Sequence, residues 1–376
     1  MENSNNYYDV AVVGGGLAGL SAAILMAQAG FSVVLFEKEK YPFHKVCGEY
    51  ISLESRELLI RLGVSLDDFP VIDELTVSSP NAASFTHKLP LGGFGVSRYN
   101  IDNQLADICV RTGVKVYDGT RVNDIGFSDN VFLIGMDNIT VTARLCCGSF
   151  GKRSNIDIKW GRAFIKNKPN ALNNYIGVKY HAILDHPRNN IALHNFSDGY
   201  CGFAPIEDGK TCVCYLTTAH NLKLSGNDIK QMEKNILFKN PHIKAAFEKA
   251  EWMYGQPLTI SQISFDKKNR VQDHVLLIGD AAGMIAPLCG NGMSMALHGS
   301  RIASEIMIKF MRREIERKEM EEEYERQWKR AFSRRLTAGR LIQRAFGNDH
   351  LTNGMVALLK KSPSLISMII RQTHGK

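Results

Sequence analysis

The sequence predicts an α/β chain (α+β overall) in which a parallel-sheet domain is interleaved with a mainly β domain and followed by a helical C-terminus. Three observations predict it. Residues 8–13 (Tyr-Asp-Val-Ala-Val-Val) form a short apolar run followed at once by glycines, a small-residue helical stretch over 17–29 and a second strand over 32–36. That is a strand–turn–helix–strand unit of about 30 residues, the start of a parallel sheet. Alternating segments over 155–265, among them 191–194 and 211–217, read as a β insertion, and from residue 292 onward the pattern is helical.

The elements follow in order. Gly30 stops the first helix, and Tyr41-Pro42 opens a polar loop. A helix is expected over 53–62, ending at Gly63. Residues 73–96 read as short strands with turns at Pro80-Asn81 and Gly92-Gly93. A helix over 100–112 leads through Gly113 to a strand over 114–117, and the strand 275–278 ends at Gly279-Asp280. No internal repeat or low-complexity linker separates these parts, so they are expected to interleave.

Hydrophobic content of 44% and charged content of 22% are those of a soluble globular chain. No apolar run reaches the roughly 18 residues of a membrane span, and the polar start lacks the build of a signal peptide. Cytoplasmic residence is therefore expected. The eight cysteines are scattered without C-x-x-C spacing, which points to free thiols and to no metal site. The net charge of +8 lies largely within 301–344, where Lys and Arg interleave with glutamates of 314–325. That is the pattern of a solvated helix face, and no nucleic-acid partner is expected. Oligomeric state is not readable.

Gly14-x-Gly16-x-x-Gly19 lies where the first strand turns into the first helix, with Glu37 ending the second strand. Gly14 permits the tight turn, Gly16 lets backbone approach a pyrophosphate, and Gly19 allows helix to pack on strand. The helix N-terminus offers free N–H groups to phosphates, and a carboxylate at 37 can accept from a ribose hydroxyl. This is a Rossmann-type dinucleotide site.

Three further segments resemble the FAD-dependent family typified by para-hydroxybenzoate hydroxylase and geranylgeranyl reductases. Lys45-Val46-Cys47-Gly48-Glu49-Tyr50-Ile51-Ser52 is similar to the K-V-C-G-E-G-L-S segment of the reductase branch. Arg98-x-x-x-Asp102-x-x-Leu105 is similar to a stretch whose arginine approaches the flavin side of the cofactor. Gly279-Asp280-Ala281-Ala282, followed by Pro287-Leu288-Cys289-Gly290-Asn291-Gly292-Met293, resembles G-D-A-A…P-x-x-G-x-G. The resemblance implies FAD, with Asp280 on a ribityl hydroxyl and the helix after Gly292 aimed at the flavin. It implies a Rossmann-type FAD-binding domain over 1–72, 97–155 and 266–310. A β-rich substrate domain would take 73–96 and 156–265, leaving a helical region over 311–376.

The chain departs from the family in two places. The run Gly148-Ser149-Phe150-Gly151 carries phenylalanine where G-A-D-G has aspartate, which leaves the electron donor open between NAD(P)H, a reduced partner protein and free reduced flavin. The Y-x-W-x-F-P segment of geranylgeranyl reductases becomes Tyr200-Cys201-Gly202-Phe203-Ala204-Pro205. Losing two large rings frees space on the order of 100 Å³, either for a differently shaped substrate or for neighbouring side chains. Halogenases share the scaffold, but their W-x-W-x-I-P run is absent.

Cys47 is the candidate catalytic residue, either donating a proton or packing as a small apolar group. Glu49 is expected either to orient a donor or to pair with a nearby basic residue, and His44 to be either a proton donor near the flavin or a structural hydrogen-bonding group. The expected substrate is a small apolar organic molecule. Double-bond reduction leads, with hydroxylation and a non-catalytic electron-transfer role as alternatives. The apolar C-terminal stretch, flanked by Lys360, Lys361 and Arg371, is expected to cap the core, to cover a tunnel mouth or to touch a membrane.

Overall fold

The computed structural model describes residues 7–373 other than 138, 169, 171, 287–289, 346 and 347. The chain begins with β1 (Tyr7–Val13), α1 (Leu17–Gln28) and β2 (Val33–Phe36), then leaves the first sheet. It builds β3 (Tyr50–Ser52), α2 (Arg56–Leu62), β4 (Val71–Ser78) and β5 (Ser84–Gly95), and returns through α3 (Arg98–Arg111) and β6 (Lys115–Tyr117). A hairpin of β7 (Asp124–Ser128) and β8 (Val131–Met136) precedes β9 (Ile139–Gly148) and the short helices α4 (Asn155–Lys159) and α5 (Ala163–Lys166). Next come β10 (Asn173–Ile183), β11 (Asn190–Phe196), β12 (Gly199–Pro205) and β13 (Thr211–Thr218). Helices α6 (Ala219–Leu224), α7 (Ile229–Asn235) and α8 (Pro241–Lys249) lead to β14 (Glu251–Trp252) and β15 (Leu258–Ser264). The last strands are β16 (Val271–Gln272) and β17 (Val275–Leu277), followed by α9 (Gly292–Met311), α10 (Arg317–Ala345), α11 (Asp349–Lys360) and α12 (Pro363–Thr373).

The first sheet runs β16-β17-β9-β1-β2-β6, and its central strands are parallel. Parallel strands covered on both faces read as continuous apolar runs, and Val10, Ala11 and Val12 are wholly buried. Helix α1 is buried nearly all round because α9 lies against it. The carboxyl ends of β1, β2, β9 and β17 meet at one edge, where such sheets bind ligands. The second sheet runs β14-β10-β13-β12-β11-β4-β5-β3 and is largely antiparallel.

Two segments differ from the sequence-based expectation, and the C-terminal stretch follows its core-capping alternative. Residues 219–249 form helices inside the β insertion, because Asp228 and Asn240 cap helix starts and Pro241 occupies a first turn. Gly92-Gly93 is not a turn: β5 runs through it, and the register of β4 against β5 shifts beside it. A Cβ on Gly92 would stand 2.9 Å from the Ile72 carbonyl, so glycine serves close strand approach. The apolar C-terminal stretch packs inward, with Leu359, Ile366 and Ile370 on Tyr50, Ile72 and Leu89. Along α10, Met320, Tyr324, Trp328 and Phe332 are buried, while Lys329 and Glu325 pair at 2.6 Å on the outer face.

The Tyr324 hydroxyl donates to the Leu277 carbonyl at 2.5 Å, fastening α10 beneath the end of β17. Tyr324→Phe strands that buried carbonyl and should cost about 1–3 kcal/mol. Urea unfolding checks this; an unchanged midpoint would show the bond adds nothing.

Candidate active site

Gly14 has φ +107°, and a Cβ there would lie 2.5 Å from the Ser149 carbonyl oxygen. The Ser149 hydroxyl in turn donates to the carbonyls of Gly14 and, at 3.2 Å, Val13. A Cβ on Gly19 would collide with the Gly14 carbonyl, so the helix sits directly on the turn. Gly16 differs. Its nearest surroundings would be two cationic nitrogens, Arg98 Nη2 at 3.5 Å and Lys45 Nζ at 3.7 Å. Two cations beside an open backbone at a helix N-terminus suit a pyrophosphate. Glu37 is buried, accepting from the N–H of Gly15 at 2.8 Å and of Glu39 at 3.1 Å. Each carboxylate oxygen keeps a lone pair for a further donor.

Both cations are themselves held. Asp102 receives Arg98 Nε at 2.9 Å and Nη2 at 2.7 Å, and Lys45 Nζ lies 3.1 Å away. Burial works against the Asp102 charge, but Arg98 and Lys45 prevail and lower its pKa. The turn after β17 faces the same group. Gly279, at φ +60°, lies where a Cβ would stand 3.0 Å from Ala18, which draws Asp280 in against α1. Burial raises the Asp280 pKa against the pull of Lys268, Arg98 and Lys152. Lys268 Nζ donates to the carbonyls of Asp280 at 2.8 Å and Lys152 at 2.7 Å, and burial lowers its pKa to about 8. Gly290, with φ +64°, leads to Asn291, which precedes the first turn of α9 at Gly292 and the buried Met293. Pro287, Leu288 and Cys289 lie outside the described residues. The glycine turn, its cations, Asp280 and the start of α9 thus converge, and they fit FAD.

The loop 44–49 joins the two sheets. Cys47 is half-buried, and its carbonyl accepts from the Cys212 thiol at 3.3 Å. Burial raises the Cys47 pKa, with Arg98 only partly opposing, so the thiol stays protonated at neutral pH. Gly48 is open to solvent. Glu49 has no exposed surface; it accepts from the Arg98 N–H at 2.7 Å and pairs with Lys179 and with His181 Nε2 at 2.6 Å. Burial alone would raise its pKa, but Lys179 and His181 together hold it at about 2. Glu49, His181 and Cys212 offer ligand atoms within 4.8 Å of one another, yet the Lys179 ammonium already supplies the positive charge there. His44 stacks on Tyr99 at 4.6 Å, and burial, with Lys179 nearby, lowers its pKa.

Beside this loop opens a cleft of about 420 Å³ lined by His44, Tyr99, Asn103, Gln104, His181 and Lys210 among others. Its lining residues carry polar groups but present them along with much apolar surface, and Tyr200, Gly202, Ala204 and Pro205 do not line it. Those four lie on β12 between strands. Leu193 Cδ2 would stand 3.6 Å from a Cβ on Gly202, so neighbouring side chains take up space there. Phe150 packs edge-on to Trp160, so the position that G-A-D-G gives to a carboxylate is held by an aromatic ring. Sequence reasoning missed Lys179, His181 and Lys268. The signal for the first two was a basic pair at i and i+2, one face of an otherwise apolar strand.

A carboxylate whose folded pKa lies below its unfolded value, near 4.3, stabilises the protein fully above about pH 5 and loses that contribution as pH falls through the folded pKa. For Glu49 the loss runs down to about pH 2. Unfolding midpoints measured down this range should fall, and Glu49→Gln should flatten the fall while lowering the neutral-pH plateau. An equally steep acid limb in the variant would place the responsible charge elsewhere.

The sequence signature described as FAD binding domain matches residues 7–336. The chain is 27% identical over 344 residues to conditioned medium factor receptor 1 of Dictyostelium discoideum, covering 81% of this chain but only 64% of that protein. It is 26% identical over 363 residues to digeranylgeranylglycerophospholipid reductase 1 of Methanosphaera stadtmanae, covering 91% and 86% of the two. In fold it resembles a geranylgeranyl bacteriochlorophyll reductase-like protein from Thermoplasma acidophilum, with TM-score 0.80, 18% identity and coverage of 98% and 96%. It also resembles a flavin-dependent brominase, with TM-score 0.79, 20% identity and coverage of 98% and 93%. No helix among the described residues is long and apolar enough to cross a membrane. A signature that runs from β1 into α10 leaves little of the chain outside it, and this protein therefore belongs to the FAD binding domain family and is an FAD-dependent oxidoreductase.

Proposed function

We propose that the protein reduces a carbon–carbon double bond in an apolar, isoprenoid-type substrate, with Cys47 donating the proton. One observation carries this reading: a thiol kept protonated by burial sits in a loop next to Arg98, which itself reaches the phosphate turn. The K-V-C-G-E segment and the likeness to a reductase named for a digeranylgeranyl lipid support the substrate class.

Bound FAD, once reduced, supplies the hydride that goes to one carbon of the double bond. The protein's own residues do the rest. The Gly14–Gly19 turn, Arg98 and Lys45 would hold the pyrophosphate, Glu37 the ribose and Asp280 the ribityl chain. Cys47 delivers the proton to the neighbouring carbon, which balances the addition, and its thiolate is reprotonated from solvent. Lys45 is engaged by Asp102 at 3.1 Å, at the phosphate end, which weighs against its service as a halogenase-type lysine. The electron donor in this reading is NAD(P)H, a reduced partner protein or free reduced flavin. Anaerobic bleaching of the yellow protein by NADH or NADPH identifies the first; if neither bleaches it, dithionite reduction followed by addition of substrate or oxygen separates an enzyme fed by another donor from an inert flavin binder.

Gly16→Val places a side chain where Arg98 and Lys45 close on the turn, so the purified variant should lose most of its FAD. Wild-type retention would put the phosphates elsewhere. Cys47→Ser should keep FAD and flavin reduction while turnover of a geranylgeranyl substrate falls roughly 10²-fold, since serine is a far weaker acid. Equal turnover would leave Cys47 as packing and favour hydroxylation, which needs no thiol.

A further inference from the structure

The loop that carries Cys47 has no regular structure between β2 and β3, yet it is fastened along its length to one face of β10. Gly177, Lys179 and His181 alternate along that strand and so share a face. Each receives a different part of the loop. A Cβ on Gly177 would stand 3.2 Å from Val46 Cγ1, so glycine makes room for that side chain. Lys179 Nζ donates to the Lys45 carbonyl at 3.0 Å and also to the Glu49 carboxylate. Its two anchor points therefore bracket Cys47. His181 holds the other Glu49 oxygen at 2.6 Å. From the neighbouring strand, Cys212 reaches the Cys47 carbonyl.

Burying an ammonium with no exposed surface costs several kcal/mol, and a packed apolar side chain at 179 would fill the strand without that cost. A lysine here gains something an apolar residue could not: a long chain ending in donors that reach two points of one loop. Glu49 is also seized from α3 by the Arg98 N–H, whose side chain faces the phosphate turn.

We infer that the Gly177–Lys179–His181 face of β10 is a template that sets the position of the Cys47 thiol relative to the flavin turn, with Lys179 as its principal positioning residue. The effect on turnover rests on the reading of Cys47 as proton donor; the effect on the loop does not.

The test uses FAD-loaded protein and two variants. Lys179→Met keeps chain length and removes the donors. The double variant Glu49→Gln, Lys179→Met removes both charges, so that no carboxylate is left stranded. In each, FAD content, unfolding midpoint, kcat and KM with a geranylgeranyl substrate are measured. Alkylation of Cys47 by iodoacetamide is followed by peptide mass spectrometry. Lys179→Met should retain FAD, alkylate Cys47 on the order of tenfold faster, and lose roughly 10²-fold in kcat with KM within about twofold, as misplacement by about 1 Å does. The double variant should regain stability while Cys47 stays fast-reacting and kcat stays low. Wild-type alkylation in either variant overturns the template. So does return of alkylation and kcat together with stability in the double variant, which would make the network packing alone. If Lys179→Met does not fold, the double variant decides. If Cys47→Ser proves fully active while alkylation accelerates in Lys179→Met, the proton-donor reading falls and the template stands.

Discussion

Glu49 carries a charge with no exposed surface, and the two sheets are joined around the need to satisfy it. An isolated buried carboxylate would neutralise itself or unfold its surroundings. This one is met by an N–H from the first turn of α3 and by two side chains from β10. Its backbone adopts a left-handed conformation, φ +56°, which favours glycine and which the surrounding bonds maintain. Because α3 supplies one of these bonds and sends Arg98 toward Gly16, the loop that bears Cys47 is registered against the phosphate turn and the second sheet at once.

The charges around the phosphate turn follow a related logic. Arg98, Lys45, Lys268 and Lys152 lie near it, but most of their charge is shared with Asp102 and Asp280 or with backbone carbonyls. Free cations would grip any anion indiscriminately, whereas cations fixed by Asp102 present their donors in one direction. The opposed pKa shifts of Asp102, lowered by its partners, and Asp280, raised by burial, mark two carboxylates with different tasks. Asp102 is a counter-ion inside the protein, and Asp280 still has acceptor capacity to offer a polyhydroxyl chain.

Much of the cofactor cradle was legible because its parts are local. A turn with Gly14, Gly16 and Gly19 needs only the strand and helix that flank it, and the same holds for Gly279-Asp280. The demand for glycine is local at several of these positions: Gly14 and Gly279 adopt positive φ, and a Cβ on Gly19 would meet the Gly14 carbonyl. Gly92-Gly93 misled for the opposite reason. A glycine pair reads as a turn locally, but here β4 crowds it from across the sheet. The helices within 219–249 were hidden by short length, since six to nine residues carry too few turns of periodicity.

By itself the sequence determined the parallel-sheet half, the dinucleotide turn, the family and the presence of a thiol in the loop after β2, since these depend on residues near one another in the chain. The tertiary structure alone decided which charges are paired and which space is empty. Lys179 and His181 are separated from Glu49 by 130 and 132 positions, and nothing along the strand says which carboxylate will lie opposite. The fate of the room at Gly202, shared with Leu193, and the set of residues lining the cleft beside His44 were settled in the same way. Local backbone preference is written in neighbouring residues, whereas burial and pairing are properties of the folded whole.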